Sequence, residues 1–441
     1  MALTVLAIAF ALLLILGVPV VFAIGLSSVA AFMASSGGLD MLIPNLNTMF
    51  NTMIGDSGMN KLAFLAIPFF IFAGELMIYG GMADKIVNFA KAAVGHVRGG
   101  LGMSNVVACT LFGGISGSAV ADVSAMGSVL IPIMKKEGYD ADYAVNVTTH
   151  AALVGVLTPT SLNIILFTLA AGGKVSILDM IYAGVIPAVL LTICNLAAAY
   201  LVARKRGYPR GEWPGWNMVM RSFAAAIPGL MVIVIILYCI TAGICTATES
   251  ASIAVIWALF LSAVVYRSLT WSQFIAACAK AAKTTGTVLT LIGISAVFGY
   301  LLAINEVPHL AGEWMSSISS NPWVIFLLVN IILFILGTFL DMAPTILICT
   351  PIFMPICAKF GMEPVQFGIV MLLNCALGLN TPPVGTTQFV GCAIGEISVG
   401  DVMKTILPFY GSLVVTMMFI TYIPALSLWL PNLIRSMAVV H

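Results

Sequence analysis

Long apolar runs separated by short polar loops follow one another along almost the whole chain. A helix that crosses about 30 Å of hydrocarbon needs about 20 predominantly apolar residues. Residues 2–35 are too long for one crossing, and Gly17 and Pro19 divide them into predicted spans at 2–17 and 19–35. The other apolar runs lie at 61–80, 102–116, 120–134, 143–171, 177–203, 224–242, 247–266, 284–304, 324–340, 344–358, 365–394 and 406–430. The pattern predicts an all-α polytopic membrane protein.

Positive charge in the loops orients these spans. The loop from Arg204 to Arg221 is strongly basic, so the positive-inside rule places it in the cytoplasm. The basic residues between 85 and 136 join it there only if residues 102–134 enter and leave the membrane by the same face. We therefore predict a re-entrant hairpin with GGISGSAVAD at its tip. A second hairpin over 324–358, with GTFLDMAP at its tip, enters from the other face, and ten crossings plus two hairpins put both termini outside.

Composition supports a membrane protein and limits other classes. Of the 441 residues, 61% are hydrophobic and 8% are charged, whereas soluble proteins carry about 25% charged residues. The net charge of +1 gives no basis for a nucleic-acid partner, and membrane lipid is the expected surrounding. The nine cysteines are scattered without a C-x-x-C pair, so we expect core residues and no covalently bound cofactor.

The two halves of the chain match at a shift of 223 residues. This shift places Gly114 on Gly337, and Thr158-Pro159 on Thr381-Pro382. Five predicted crossings lie between the hairpins, and an odd number inverts the second half relative to the first. Inverted repeats, each with a re-entrant hairpin and a broken transmembrane helix, are typical of secondary transporters.

Four interruptions of the helical pattern, two hairpin tips and two helix breaks, are the candidate site. Non-helical backbone in a membrane persists only where it is buried in protein or lines a wet cavity. Carbonyls and hydroxyls suit Na⁺, and helix N-termini suit a carboxylate. The polar candidates at the tips and breaks are Ser116, Ser118, Asp341, Thr158, Ser161, Asn163, Thr381 and Thr386. The Na⁺ ligands are expected among Ser116, Ser118, Asp341 and Thr381.

Several of these residues have a structural alternative. Asp122 and Asp341 are the acids deepest in apolar sequence and suggest function, but either could cap a helix start. The tip serines could serve only the turn backbone, and the Thr-Pro breaks could be only kinks.

Polar residues elsewhere in the apolar runs favour structural roles. Glu75 and Glu249 lie near span ends, where a salt bridge or an interfacial position is expected. Asn146 and His150, four apart on one helix, are expected to be a packed polar pair. The amphipathic segments 41–54 and 270–283 are expected to lie along the membrane interface.

Two other function classes compete with a transporter. The G-x-S-G at 114–117 is a serine setting that an intramembrane protease could use, with Ser116 as nucleophile and His150 as base. That chemistry gives no role to the repeat, and the second tip has no serine. A passive channel would need a continuous pore, whereas two hairpins that meet at the midplane favour alternating access.

Six sequence blocks carry a family resemblance that covers nearly the whole chain. They are LGVPVVFAIGL at 16–26, IPFFIFAGELM at 67–77, FGGISGSAVAD at 112–122, LGTFLDMAPTILICTPIFMPI at 336–356, GLNTPPVG at 378–385 and ITYIPALSLWLP at 420–431. In these blocks the chain resembles the large membrane subunit of the TRAP (tripartite ATP-independent periplasmic) transporters, the C4-dicarboxylate transport M-subunit family.

The resemblance implies a function and partners. Such proteins work in the bacterial inner membrane with a small four-helix membrane subunit and a periplasmic substrate-binding protein. They are not enzymes; they import organic acids, such as a C4-dicarboxylate or sialic acid, with Na⁺ as the coupling ion. We expect the small subunit to be a separate chain.

The resemblance also implies site residues and an elevator mechanism. The residues that it carries over are Gly114, Ser116, Ser118, Asp122, Gly337, Asp341, Ala343, Thr381, Pro382 and Gly385. The first break departs from the Pro-Pro-Ser often seen in the family, because Thr158-Pro159-Thr160-Ser161 stands there. The expected domains are scaffold helices and arm at 1–97, transport domain at 98–175, scaffold helices with cytoplasmic loop and arm at 176–320, transport domain at 321–400, and a C-terminal scaffold helix at 401–441.

Overall fold

Helices form every regular element in the parts of the chain that the computed structural model describes, which are residues 2–35, 42–55 and 65–438. The first five are α1 (Ala2–Ile15), α2 (Val20–Ser35), α3 (Leu42–Ile54), α4 (Ala66–Tyr79) and α5 (Met82–Val94). Gly17, with φ of +74°, turns the chain between α1 and α2 where the sequence predicts a break. The predicted span 61–80 corresponds to α4, and its residues 61–64 lie outside the described residues.

The first predicted hairpin is a pair of helical arms with a two-residue break. The arms comprise α6 (Gly100–Ser116), α7 (Ala119–Asp122), a π-helical turn over Val123–Gly127 and α8 (Ser128–Lys136). Gly117 adopts a left-handed φ of +63°, which a residue with a side chain rarely adopts. The chain reverses there, and α8 packs back against α6.

The first broken helix follows directly. It consists of α9 (Ala141–Ala152), a 3₁₀ turn over Leu153–Leu157 and α10 (Leu162–Ala170), with a bend of 49° at the break. Pro159 lies in the break, where its missing N–H and fixed φ prevent a continuous helix.

The middle of the chain contains α11 (Ile177–Lys205), α12 (Trp216–Thr241), α13 (Ala247–Phe260), α14 (Trp271–Ile304) and α15 (Val307–Ile318). The expectation of a separate interfacial arm at 270–283 is wrong, because this segment is the first part of the 34-residue helix α14. Thr270 and Gln273 form a capping box that starts the helix. The alanine-rich stretch after it favours helix and contains no proline, so nothing ends the helix before residue 284.

The second half repeats the order of hairpin and broken helix. It contains α16 (Pro322–Phe339), α17 (Met342–Lys359), α18 (Pro364–Leu379), α19 (Thr386–Gly395), α20 (Val399–Met403), α21 (Leu407–Tyr422) and α22 (Ala425–Ala438). The breaks after α16 and α18 lie where a shift of 223 residues from the first half puts them. The predicted span 406–430 is bent, because Pro424 interrupts it and α21 and α22 meet at 54°.

By length and composition, six of the described helices can each cross a membrane, and up to nine spans result if each of three bent pairs counts as one. Helices α1, α2, α6 and α18 are apolar but shorter. The total of ten crossings and two hairpins therefore stays a prediction.

The broken helices lie at the centre of the packing. Every residue of α18 from Val365 to Leu379 is buried, as is every residue of α9 from Tyr143 to Ala152. Helix α11 packs against α6, α9 and α18, and also against α21 and α22. Helices α4 and α5 contact α6, and α14 and α15 contact α17. Each hairpin thus lies between a central broken helix and an outer layer.

The second hairpin touches the central helix backbone to backbone. A Cβ on Gly378 of α18 would lie 2.3 Å from the carbonyl oxygen of Gly337 on α16. Only glycine permits this approach, which sets the distance between α16 and α18.

We expect Gly378→Ala to lower the midpoint of thermal unfolding in detergent, because overpacking a buried contact costs about 1–3 kcal/mol. Gly299→Ala is the matched control. A Cβ there meets no atom within 4 Å, and alanine favours a helix interior. Equal midpoints for the two variants would contradict the close contact.

Candidate functional site

The first tip is closed by its own polar side chains. Ser118 caps α7, and its Oγ accepts a hydrogen bond from the Ala121 N–H at 3.4 Å. The Ser116 Oγ accepts from the Ser118 N–H at 3.2 Å and donates to the carboxylate of Asp122. Both serines therefore serve the turn backbone, which is their structural alternative, and Ser116 also binds the acid.

Asp122 is fully buried in a space that two glycines provide. A Cβ on Gly113 or Gly155 would lie 2.8 Å or 2.7 Å from its Oδ2, and this atom has no hydrogen-bond partner among the described residues. Asp122 lies in the first turn of the second hairpin arm, where the helix dipole favours an anion. Ser118, not Asp122, occupies the capping position.

The first break binds the first tip. Thr158 Oγ1 donates to the Gly113 carbonyl at 2.8 Å, and Thr160 Oγ1 donates to the Gly114 carbonyl at 3.1 Å. A Cβ on Gly117 would lie 2.4 Å from the Thr160 carbonyl oxygen. The end of α6 leaves the Gly114 carbonyl without a helical partner, whereas the Gly113 carbonyl also accepts from the Gly117 N–H at 3.0 Å. Tip and break are one structural unit.

The remaining candidates of the first break start α10. Ser161 caps this helix by accepting from the Asn163 N–H at 3.3 Å. The Asn163 amide nitrogen lies 3.4 Å from the same Oγ.

The second tip uses an acid where the first uses a serine. Asp341 caps α17, because its Oδ1 accepts from the Met342 N–H at 2.9 Å. Ala343 lies in the first turn of the same helix and is half-buried. The Val384 N–H donates to the Thr338 carbonyl at 3.3 Å, so the second break also touches its own tip.

The second break contains buried polar atoms without partners. The Tyr410 hydroxyl donates to the Asn380 carbonyl at 2.7 Å and lies 2.9 Å from Thr381 Oγ1. Within the described part of the chain, the side-chain amide of Asn380 and the hydroxyls of Thr386 and Thr387 are buried without a hydrogen bond. An unpaired buried polar group costs about 1–3 kcal/mol, so this cluster is suited to a bound ion, ligand or water.

Backbone geometry accounts for the other candidates of the second break. Pro382 and Pro383 form a cis peptide in the break. Gly385 directly precedes α19, and its N–H donates to the Thr381 carbonyl at 3.1 Å.

The halves interlock through their broken helices. Thr149 on α9 donates to Gln388 Oε1 on α19 at 3.2 Å. Helix α19 also packs against α7, and α10 packs against α17. No hydrogen bond between described residues joins the two tips. Ser116 and Ser118 belong to the first tip, Asp341 to the second tip and Thr381 to the second break.

A cavity of about 320 Å³ opens at the first tip. Ser116, Ser118 and Thr160 line one side, and Glu75 and Lys280 line the other. Glu75 Oε1 lies 3.0 Å from Lys280 Nζ, so the expected salt bridge of Glu75 is present. Lys280 is absent from the site residues predicted above, because the amphipathic pattern favours an interfacial arm at 270–283. The sequence signal that could have indicated Lys280 is Glu75, because an acid in an apolar run needs a cationic partner.

Asn146 and His150 pack together on α9 but are only partly satisfied, because Asn146 Oδ1 and His150 Nε2 are buried without a hydrogen-bond partner among the described residues. Asn146 Nδ2 donates to Thr405 Oγ1 at 3.0 Å, and His150 Nδ1 lies 2.9 Å from the Asn146 carbonyl. The Ser116 hydroxyl is bound to Asp122 instead of to His150.

The family model of the tripartite ATP-independent periplasmic transporter, DctM component, matches residues 7–426. The chain belongs to this family. It is a large permease subunit of a membrane transporter, so the protease and channel alternatives are wrong.

Relatives of known sequence match this chain over most of its length. YgiK of Salmonella typhimurium is 40% identical over 424 residues, which are 96% of each protein. The C4-dicarboxylate TRAP transporter large permease DctM of Pseudomonas aeruginosa is 36% identical and covers 83% of this chain and 86% of its own. The sialic acid TRAP transporter large permease SiaM of Vibrio cholerae is 32% identical over 96% of each.

A solved structure shares the fold. The YdaH transporter of Alcanivorax borkumensis superposes with a TM-score of 0.62 over 87% of this chain and 88% of its own, at 13% identity.

We expect Thr160→Val to destabilise the protein, because valine keeps the shape but leaves the Gly114 carbonyl without its donor, which costs about 1–3 kcal/mol. The control is Thr290→Val, since the exposed Thr290 hydroxyl bonds only its own helix at Gly286. The midpoint of thermal unfolding in detergent measures both. A loss no greater for Thr160→Val than for Thr290→Val would contradict the bond between break and tip.

Proposed function

We propose that this permease is the large subunit of a Na⁺-coupled secondary transporter that imports an organic acid across the bacterial inner membrane. The observation that carries the proposal is the repeated pairing of a hairpin tip with a helix break. Thr158 and Thr160 bind the first tip, and Val384 binds the second. The breaks of the two halves lie 223 residues apart, which supports an inverted repeat.

Two relatives support a carboxylate as the substrate class. One is named for C4-dicarboxylates and one for sialic acid, and both of these cargoes carry carboxylates. The family supports a tripartite complex. We propose a separate small four-helix subunit and a periplasmic binding protein that delivers the substrate.

The oxygen-rich tips and breaks support Na⁺ as the coupling ion. The sequence proposes Ser116, Ser118, Asp341 and Thr381 as ligands, and we propose one ion at each tip with its break: Ser116 and Ser118 in the first cluster, Asp341 and Thr381 in the second. Gly114 adds a carbonyl in the first cluster, and the unpaired hydroxyl of Thr386 adds an oxygen in the second. Gly337, Ala343, Pro382 and Gly385 would shape the backbone around the second site.

The contacts favour an elevator with revised boundaries. The sequence assigns residues 176–320 and 401–441 to the scaffold, but α11, α21 and α22 pack against one another and against α18. Arg206, directly after α11, also binds Asp140 at 2.9 Å and Asp142 at 2.7 Å. We propose that α6–α11 and α16–α22 move together against α1–α5 and α12–α15.

Reconstitution of the complete complex in liposomes tests the function. We expect uptake of a carboxylate substrate when an inward Na⁺ gradient is imposed and the binding protein is present. Uptake that persists unchanged without Na⁺, or without the binding protein, would refute the proposal.

We expect Asp341→Asn to raise the Na⁺ concentration for half-maximal uptake by about tenfold or more, because contacts to a charged group contribute about 1.5–3 kcal/mol. Asparagine is as good a helix cap as aspartate, so the fold is kept. Glu249→Gln makes the same chemical change at an exposed capping box. Similar, mild effects from both variants would contradict an ion site at Asp341.

The unpaired amide of Asn380 gives a second test. Ligand binding stabilises the folded state, so Na⁺ should raise the thermal midpoint of the wild type above its value in K⁺ at equal ionic strength. We expect Asn380→Leu to reduce this difference and Asn305→Leu, at the end of α14, to keep it. An undiminished Na⁺ effect in Asn380→Leu would rule out Asn380 as an ion ligand.

A further inference from the structure

The cavity at the first tip has a polar face and a charged face. Hydroxyls of Ser116, Ser118 and Thr160 line it on the side of the hairpin. On the opposite side, Glu75 of α4 and Lys280 of α14 are the charged residues among those described as lining it. Helix α4 comes close to the tip at Gly74, where an added Cβ would lie 3.6 Å from the Ser116 carbonyl oxygen. The ion pair therefore faces the tip across a space of molecular size.

The two members of the pair are unequally buried. The side chain of Glu75 is 8% exposed and that of Lys280 is 49% exposed, with 3.0 Å between Oε1 and Nζ. An ammonium has three donors, and this contact uses one of them. Glu75 Oε2 is buried without a partner among the described residues. The ammonium therefore keeps two donors beyond its contact with Glu75, and both residues line the cavity.

A purely structural role accounts poorly for this lysine. Lys280 lies nine residues into α14, about 14 Å along the helix axis from Trp271. Its partner Glu75 is almost fully buried in the apolar helix α4, and an acid in such a position is costly and usually functional. Apolar contacts, such as the ring pair Phe72 and Phe274, already join α4 to α14. Burial of an ion pair adds little stability compared with such packing.

We propose that Lys280 binds the carboxylate of the transported acid, with Glu75 as the counter-ion that holds the ammonium in place while the cavity is empty. This inference rests on the proposed function, since it takes an organic acid as cargo. The substrate carboxylate accepts hydrogen bonds from the Lys280 ammonium, and the tip hydroxyls contact the rest of the molecule. Because Lys280 belongs to the helices that stay in place and the serines to those that move, this contact exists only in the conformation with the cavity formed.

Exchanging the charges of Glu75 and Lys280 distinguishes a lysine that binds substrate from a lysine that only forms a stabilising ion pair. The variants are Lys280→Gln, Lys280→Arg, Lys280→Glu and the double variant Glu75→Lys with Lys280→Glu. Each is measured in the reconstituted complex with succinate and N-acetylneuraminate as probes, and its thermal midpoint is recorded. Lys283→Gln is the control, because Lys283 is exposed on the same helix and lies outside the residues that line the cavity.

We expect Lys280→Gln to raise the KM for the imported probe about tenfold or more, and Lys280→Arg to keep it within about threefold, because arginine retains the positive charge. The double variant should recover the thermal midpoint lost in Lys280→Glu but not the KM. Recovery of both would show a structural brace and overturn the inference, as would a wild-type KM in Lys280→Gln. A wild type that imports neither probe with Na⁺ and binding protein would overturn the proposed carboxylate transport and this inference with it.

Discussion

Backbone carbonyls that lose their helical partners inside a membrane must be satisfied by other groups, and the centre of this permease is built around that requirement. Helix α6 ends at Ser116, and threonine hydroxyls from a neighbouring break bind the carbonyls of Gly113 and Gly114. The break in one helix is thereby stabilised by the end of another. The same pairing of a tip with a break recurs in the second half, where the Val384 N–H binds the Thr338 carbonyl.

The same pairing requires close packing and specific glycines. Gly117 takes a left-handed conformation directly against the Thr160 carbonyl, and Gly113 and Gly155 leave space for the Asp122 carboxylate. Gly337 and Gly378 bring α16 and α18 into backbone contact in the other half. These positions combine a membrane-buried polar group with a residue that has no side chain, so the functional and structural requirements coincide there.

The repeat, the hairpins and the breaks could be predicted because proline, glycine and charge leave direct marks in an apolar sequence. Pro159 and Pro382 mark the breaks, and the basic residues between 85 and 136 indicate the first hairpin, whereas the sides of the membrane stay a prediction. Residues whose roles depend on partners remote in sequence could not be predicted. Tyr410 binds the backbone carbonyl of Asn380, and no described residue hydrogen-bonds the side-chain amide of Asn380. Both facts depend on residues remote in sequence. The position of Lys280 beside the first tip could not be predicted, because amphipathic character alone does not distinguish an interfacial helix from the first turns of a long helix.

Helix α14 has a consequence beyond the position of one lysine. At 1.5 Å per residue its 34 residues extend about 50 Å, which exceeds the thickness of the hydrocarbon. It carries Lys280 beside the first tip and also packs against α17, an arm of the second hairpin. The same helix therefore lies beside the first tip and against the second hairpin. A tilt of α14 would change the spacing at both places at once, which links the cavity at the first tip to the position of α17.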